Sequence, residues 1–169
     1  AGVAGALGAK LAHPNRPVIS ASGDMGIMCN IGELETAVRE NIPVVHIVFN
    51  DEGLGNERAF QNEHFGGRFF AVDYKNPNFG DLAKVFGGYG ERVTKPGDLE
   101  GAIQRALASG KPALIDVMID QNTLAPVVPH VRSGRLRMLG VGSATRNPQV
   151  PEVPAIAETL PGFESVQWW

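Results

Sequence analysis

The sequence predicts an α/β fold: a doubly wound, mostly parallel sheet with helices on both faces, plus a small α/β C-terminal appendage. Three observations carry this expectation. Short apolar runs rich in β-branched residues at 17–21, 44–49 and 113–119 read as buried strands bounded by Gly, Pro or Asn. Amphipathic helical patterns lie between them. The two patterns alternate, which argues for parallel pairing through right-handed crossovers.

Taken in order, residues 2–12 are small and apolar and predict a closely packed helix. The spacing Gly2-x-x-Gly5-x-x-Gly8 invites a dinucleotide reading, but that fingerprint follows a strand and none precedes it here. Packing of a helix on a sheet through small residues accounts for it better. Residues 17–21 are the first buried strand. Residues 31–40 set Leu34, Ala37 and Val38 at helical spacing, with Glu33, Glu35, Arg39 and Glu40 outside, and Pro43 stops that helix. Residues 44–49 form the second buried strand. The stretch 50–76 is polar and Gly-containing and reads as a long loop, a length usually tied to function or disorder. Residues 79–86 are helical, 89–93 a short strand, and 96–108 a helix with Leu99, Ile103, Ala106 and Leu107 inward. Ser109-Gly110-Lys111-Pro112 ends it, and 113–119 is another buried strand.

A chain of 169 residues with 43% hydrophobic content can bury a real core, and a formal charge of −3 argues against a nucleic-acid partner. A single cysteine, Cys29, excludes a disulfide framework and permits a reducing compartment, so a cytoplasmic location is expected. No apolar stretch is long enough for a membrane span, and no signal peptide is visible. The first residue is Ala and the last two are Trp168 and Trp169, so both ends are expected to be cut from something longer. The expected organisation is a cofactor-type domain at 1–120, a Pro-containing linker at 121–129 and a short fragment at 130–169. In that fragment, 136–141 reads as a strand and 155–159 as a short helix.

Asp24 and Asp51 carry the chemistry. Asp24 lies in Ser22-Gly23-Asp24-Met25-Gly26 and Asp51 in Asn50-Asp51-Glu52-Gly53, each directly after a predicted strand. Two carboxylates are thereby set side by side at the carboxyl edge of a parallel sheet, where open α/β sheets bind ligands. Asp in such turns also serves as a helix cap, but the pair flanked by Gly points to a divalent cation and the phosphate it holds. The Gly53 carbonyl offers a third oxygen. Gly residues around Asp24 allow main-chain N–H groups near phosphate oxygens, and a helix after residue 30 is expected to add its dipole.

These residues resemble a known family. Gly23-Asp24-Met25-Gly26 followed by Asn50-Asp51, 27 positions from Asp24 to Asp51, looks like the thiamine diphosphate motif. The flanks agree: Arg16-Pro17-Val18-Ile19, Glu33-Leu34-Glu35-Thr36-Ala37-Val38-Arg39 and Asn41-Ile42-Pro43-Val44-Val45. Over 1–127 the chain resembles the C-terminal cofactor domain of acetolactate-synthase-like and sulfoacetaldehyde-acetyltransferase-like enzymes, transferases and lyases that make or break C–C bonds next to a carbonyl. The resemblance implies thiamine diphosphate and Mg²⁺ as cofactors, with Asp24, Asp51 and the Gly53 carbonyl on the metal. It places the diphosphate on backbone around Gly23, Met25 and Gly26, with Asn50, Glu52 and Leu54 lining the loop. Met25 departs from the motif's second Gly. The resemblance further implies a small-molecule 2-oxo acid or aldehyde substrate and a homo-oligomer. A pyrimidine-binding domain of the same or a neighbouring subunit would supply the activating glutamate, so no catalytic residue is assigned within this chain. Glu33, on the first turn of a helix, is read as solvent-facing or capping.

Of the four histidines, His46 is expected to be an interior imidazole of a strand, and His64 could reach substrate from the long loop. Cys29 is expected to pack as a small apolar residue, with a redox role as the minor alternative. The tail has a resemblance of its own. Pro129-His130-Val131-Arg132-Ser133-Gly134-Arg135-Leu136-Arg137, Ser143-Ala144-Thr145-Arg146, Pro151-Glu152-Val153-Pro154 and Pro161-Gly162-Phe163-Glu164 look like a stretch of the tripartite tricarboxylate transporter receptor family. That implies a carboxylate-binding receptor as the alternative function, or an accidental fusion of two sequences. The basic cluster Arg132, Arg135 and Arg137 reads as a solvated helix face before a carboxylate site.

Overall fold

The computed structural model describes residues 2–120, 145–146 and 151–159. The chain divides into two compact units, 1–123 and 124–169. The first unit opens with α1 (Gly2–Ala12), β1 (Ile19–Gly23), a five-residue α2 (Asp24–Met28), α3 (Glu33–Arg39) and β2 (Val45–Asn50). It continues with α4 (Gly55–Phe65), α5 (Phe79–Val85), β3 (Tyr89–Val93), α6 (Leu99–Ala108) and β4 (Ala113–Met118). The four strands form one sheet in the order β1-β2-β4-β3, with every neighbouring pair parallel.

Alternation along the two central strands builds two cores. Val44 and Val48 on the β2 side, with Leu114 of β4, meet α1, α3 and α5 through Leu7, Leu34, Ala37, Phe79 and Ala83. Val45 and Ile47, with Ala113, Ile115 and Val117, meet α6 through Ala102 and Ala106. Helices therefore cover both faces, as the near-continuous apolar strands require. The steps β1 to β2 and β2 to β3 run one way, and β3 to β4 steps back with α6 on the opposite face. This is the pattern right-handed crossovers impose.

Several expectations need correction. β1 was expected to be buried, but it is the edge strand and Ile19 is 46% exposed, because only β2 pairs with it. The stretch 50–76 is not one long loop: it contains α4. That helix has no buried residue, so it lacks the apolar stripe by which sequence reveals helices. The expected helix at 96–108 begins as a 3-10 turn at Pro96–Asp98, because proline suits a first turn but not a helix interior. Small-residue packing of α1 holds at Gly2, where an added Cβ would lie 3.4 Å from the His46 ring, but not at Gly8, where it would meet nothing.

In the second unit, the short helix expected at 155–159 is a 3-10 turn, Ile156–Glu158. Glu158 accepts from both Arg146 Nε and Nη2 at 2.7 Å and from Ala155 N at 2.8 Å. The strand expected at 136–141 and the basic cluster Arg132, Arg135 and Arg137 lie outside the described residues.

Candidate metal and diphosphate site

The register Gly23↔Phe49 places Asp24 beside Asn50 at the carboxyl edge, one residue short of Asp51. Asp24 is 3% exposed and opens α2, so the helix whose N-terminus meets this turn starts at Asp24. The helix after residue 30, α3, begins only at Glu33, nine residues later, and is not the one at the site. Main-chain N–H groups in a first helical turn have no partner within the helix. One of them, Met25 N, is met by Asp24 Oδ1 at 2.7 Å. Met25 and Gly26 are exposed, as is Gly23, where an added Cβ would meet nothing within 4 Å.

Beyond β2 the chain turns sharply. Glu52 takes a left-handed φ of 56°, an uncommon conformation for a residue with a side chain. It is held by Glu52 N donating to Asn50 Oδ1 at 3.2 Å and by Gly53 N donating to Asp51 Oδ1 at 3.2 Å. The turn buries Gly53. A Cβ at Gly55 would lie 2.4 Å from Asp51 Oδ2, so a side chain there would push the Asp51 carboxylate aside. The Asp51 carboxylate thus rests against the N-terminus of α4, a favourable place for an anion. Burial first, and the Asp24 charge second, raise its pKa. Two like charges have been folded together, an arrangement a cation relieves.

A hydrogen-bonded chain ties these groups to the sheet. Tyr74 Oη reaches both Asp24 Oδ1, at 3.0 Å, and the Gly53 carbonyl, at 2.8 Å. Asn76 Nδ2 donates to Asp24 Oδ2 at 2.6 Å and to Asn50 Oδ1 at 2.9 Å. Asn50, fully buried, donates through Nδ2 to Asp116 Oδ1 at 2.9 Å. Asp116 Oδ2 accepts from Phe79 N at 3.0 Å, at the start of α5, and from Arg92 Nε at 2.8 Å and Nη2 at 2.6 Å. Among the described residues no buried side-chain nitrogen or oxygen lacks a partner. Burial, followed by the Asp24 charge, raises the Tyr74 pKa, so its proton stays on at neutral pH.

The sequence missed Tyr74, Asn76, Arg92 and Asp116. A signal existed for Asp116, the one charged residue inside the apolar run Ala113-Leu114-Ile115-Asp116-Val117-Met118. The remaining candidates fall outside this cluster. His64 stands on the last turn of α4 against Phe60, with ring centroids 4.3 Å apart. Glu33 is half-buried on the first turn of α3. Cys29 does not pack as expected: it is exposed, because the core-facing position of α2 is taken by Ile27.

His46 is the interior imidazole the sequence predicts, 1% exposed. Its Nδ1 lies 2.7 Å from Ser20 Oγ and its Nε2 lies 2.8 Å from Ser22 Oγ. Ser22 directs its own proton to the Gly23 carbonyl at 3.1 Å, so the network assigns the proton to Nε2 and acceptance to Nδ1. Burial lowers the His46 pKa from 6.5 to about 4. The unfolded chain therefore takes up a proton that the fold resists, and stability falls as pH drops from about 6.5 to about 4. Urea unfolding at pH 7 and pH 5 should show a loss approaching 2 kcal/mol, within the roughly 1.4 kcal/mol per pKa unit that linkage sets. His46→Gln should lack that slope.

The site's donor set is oxygen only: two carboxylates and a main-chain carbonyl. Among the described residues no three His, Cys, Asp or Glu side chains gather to hold a metal. This set matches Mg²⁺, which takes one or two carboxylates and completes its shell with phosphates and water. Beside Asp51 and Tyr74 opens a cleft of about 580 Å³, which Met118 and Ile119 also line at the end of β4.

Several known proteins resemble this chain. A "Probable acetolactate synthase large subunit" of Methanocaldococcus jannaschii is 33% identical over 162 residues, covering 93% of this chain and 27% of that protein. The "Acetolactate synthase" of Bacillus subtilis is 40% identical over 115 residues, 68% of this chain and 20% of that protein. A "Sulfoacetaldehyde acetyltransferase" of Alcaligenes xylosoxydans is 34% identical over 137 residues, 79% of this chain and 23% of that protein. The thiamine diphosphate-dependent 4-hydroxybenzoylformate decarboxylase of Rhodococcus jostii RHA1 superposes with a TM-score of 0.65 at 34% identity, over 70% of this chain and 23% of that one. The chain thus spans about a quarter of the length of such relatives. Residues 1–117 match the family described as "Thiamine pyrophosphate enzyme, C-terminal TPP binding domain", and the chain belongs to that family.

Proposed function

We propose that residues 1–120 hold thiamine diphosphate through Mg²⁺, with Asp24, Asp51 and the Gly53 carbonyl as the protein's metal ligands. The observation that carries this is the convergence of Asp24 Oδ1 and the Gly53 carbonyl on one point, the Tyr74 hydroxyl, with the Asp51 carboxylate close by. The exposed backbone of Gly23, Met25 and Gly26 takes the diphosphate, while Glu52 and Leu54 border the loop. Asn50, whose amide is spent on Asp116, Glu52 and Asn76, fixes the turn. When bound, the cofactor supplies the electron sink for making or breaking a C–C bond next to a carbonyl. The chain's own residues anchor and orient it.

The full protein is then a cytoplasmic transferase or lyase acting on a 2-oxo acid or aldehyde. Its activating glutamate comes from a pyrimidine-binding domain of the same or a neighbouring subunit in a homo-oligomer. The exposure of Phe60, Phe65, Phe69 and Phe70 on and after α4 supports such a partner, since large exposed aromatics in one region mark interaction surfaces. Among the described residues no helix is long and apolar enough to cross a membrane. The alternative reading, a carboxylate-binding receptor segment at 130–169, predicts tight citrate binding by the chain, and a flat calorimetric titration with citrate would refute it. Calorimetric titration with thiamine diphosphate tests the main reading. Binding should require Mg²⁺, and equal heats with and without the metal would refute it.

A further inference from the structure

Three oxygens of the proposed metal site, together with the Asn50 amide oxygen beside it, are held by two neutral side chains. The Asn76 amide spends both N–H groups, on Asp24 Oδ2 and Asn50 Oδ1, and so fixes the orientation of both. Tyr74 differs. Its hydroxyl has one proton and lies within hydrogen-bond distance of two acceptors, Asp24 Oδ1 at 3.0 Å and the Gly53 carbonyl at 2.8 Å. These are two of the three oxygens assigned to the cation. A phenol hydroxyl and a metal ion cannot both sit between them.

We propose that the Tyr74 hydroxyl is a built-in stand-in for the cation: it holds Asp24 and Gly53 together before loading and leaves when the metal takes their oxygens. This rests on the assignment of Asp24 and Gly53 as ligands. The backbone that carries this hydroxyl is fixed. Tyr74 N donates to the Glu52 carbonyl at 3.1 Å, Leu54 N donates to the Val72 carbonyl at 2.8 Å, and Gly53 bridges Asp73. The backbone of 72–74 is thereby stitched to the turn that presents Gly53, so loading does not dismantle the ligand set. The ring has a destination as well, since Tyr74 lines the cleft floored by Met118 and Ile119. Preorganisation and competition come from the same hydroxyl: it lowers metal affinity while keeping the ligands in register.

The test uses the whole chain, with Mn²⁺ as the probe at fixed thiamine diphosphate and free Mn²⁺ read by electron paramagnetic resonance. Tyr74→Phe removes the competing hydroxyl and keeps the ring. Mn²⁺ binding should tighten about three- to tenfold, the range a single net hydrogen bond sets. Tyrosine labelled with ¹³C at the ζ carbon gives a second readout in the unaltered chain. The Tyr74 signal should move on adding Mg²⁺ with thiamine diphosphate, while that of Tyr89 should not. Unchanged or weaker Mn²⁺ binding by Tyr74→Phe, or a static Tyr74 signal, would overturn the stand-in role and leave the ligand assignment intact. No Mn²⁺ binding by the unaltered chain would overturn both.

Discussion

Asp116→Ala should destabilise the chain by about 3 kcal/mol, the lower end of the cost of stripping one partner from a buried ion pair. The Asp116 carboxylate is fully buried and holds Asn50, the first turn of α5 and the Arg92 fork at once. Its removal leaves the Asn50 amide and the Phe79 N–H without acceptors in a dry interior. Arg92 limits the loss, because its side chain is 31% exposed and can turn to water. Urea denaturation of the two proteins measures the difference. The double variant Asp116→Ala/Arg92→Ala should cost less than the sum of the two single variants, as expected of groups that share one network. A second consequence is local: without Asp116 the Asn50 side chain loses its anchor, and the turn carrying Asp51 and Gly53 should loosen in hydrogen exchange.

Asp24→Asn should produce the largest functional effect, lowering Mg²⁺-dependent thiamine diphosphate affinity by about a hundredfold, the upper range for disturbing a metal's immediate surroundings. In the unliganded fold, relief of the repulsion with Asp51 should be offset by the new amide N–H₂, which faces the Asn76 donor in place of an acceptor, so stability should change little. The Asp24 charge helps raise the Asp51 pKa, so the two carboxylates repel in the folded chain. Neutralising one removes that repulsion and the reason for a cation together. Calorimetry and thermal unfolding on one sample separate the two effects. Affinity should fall steeply while the unfolding midpoint moves little.

Legibility from the sequence followed the range of the interactions. β2 and β4 were readable because their apolar runs are contiguous and bounded by Pro, Gly and Asn, which is local information. The Asp24 and Asp51 turns were readable for the same reason: each follows its strand directly. α4 was not, because a helix with no buried residue carries no apolar period. α2 was not, because five residues are too few to show one. Cys29 was misjudged because its side depends on where that short helix turns. Most hidden was the polar chain from Arg92 to Tyr74. Asn50 and Asp116 are 66 residues apart, and Asp24 and Asn76 are 52 apart. No local pattern links such pairs; only the strand order β1-β2-β4-β3 brings them together. His46 succeeded on strand position alone, but its two serine partners required the register Ser20↔His46.

The central claim is that Asp24, Asp51 and the Gly53 carbonyl form one face of a metal–diphosphate site. Crystals of the chain grown with Mn²⁺ and thiamine diphosphate, with data collected at the manganese edge, test it most directly. The account predicts one strong anomalous peak within about 2.2 Å of an Asp24 oxygen, an Asp51 oxygen and the Gly53 carbonyl, with diphosphate oxygens on its far side. A peak away from these three groups, or diphosphate density with no metal between it and Asp24, would contradict it.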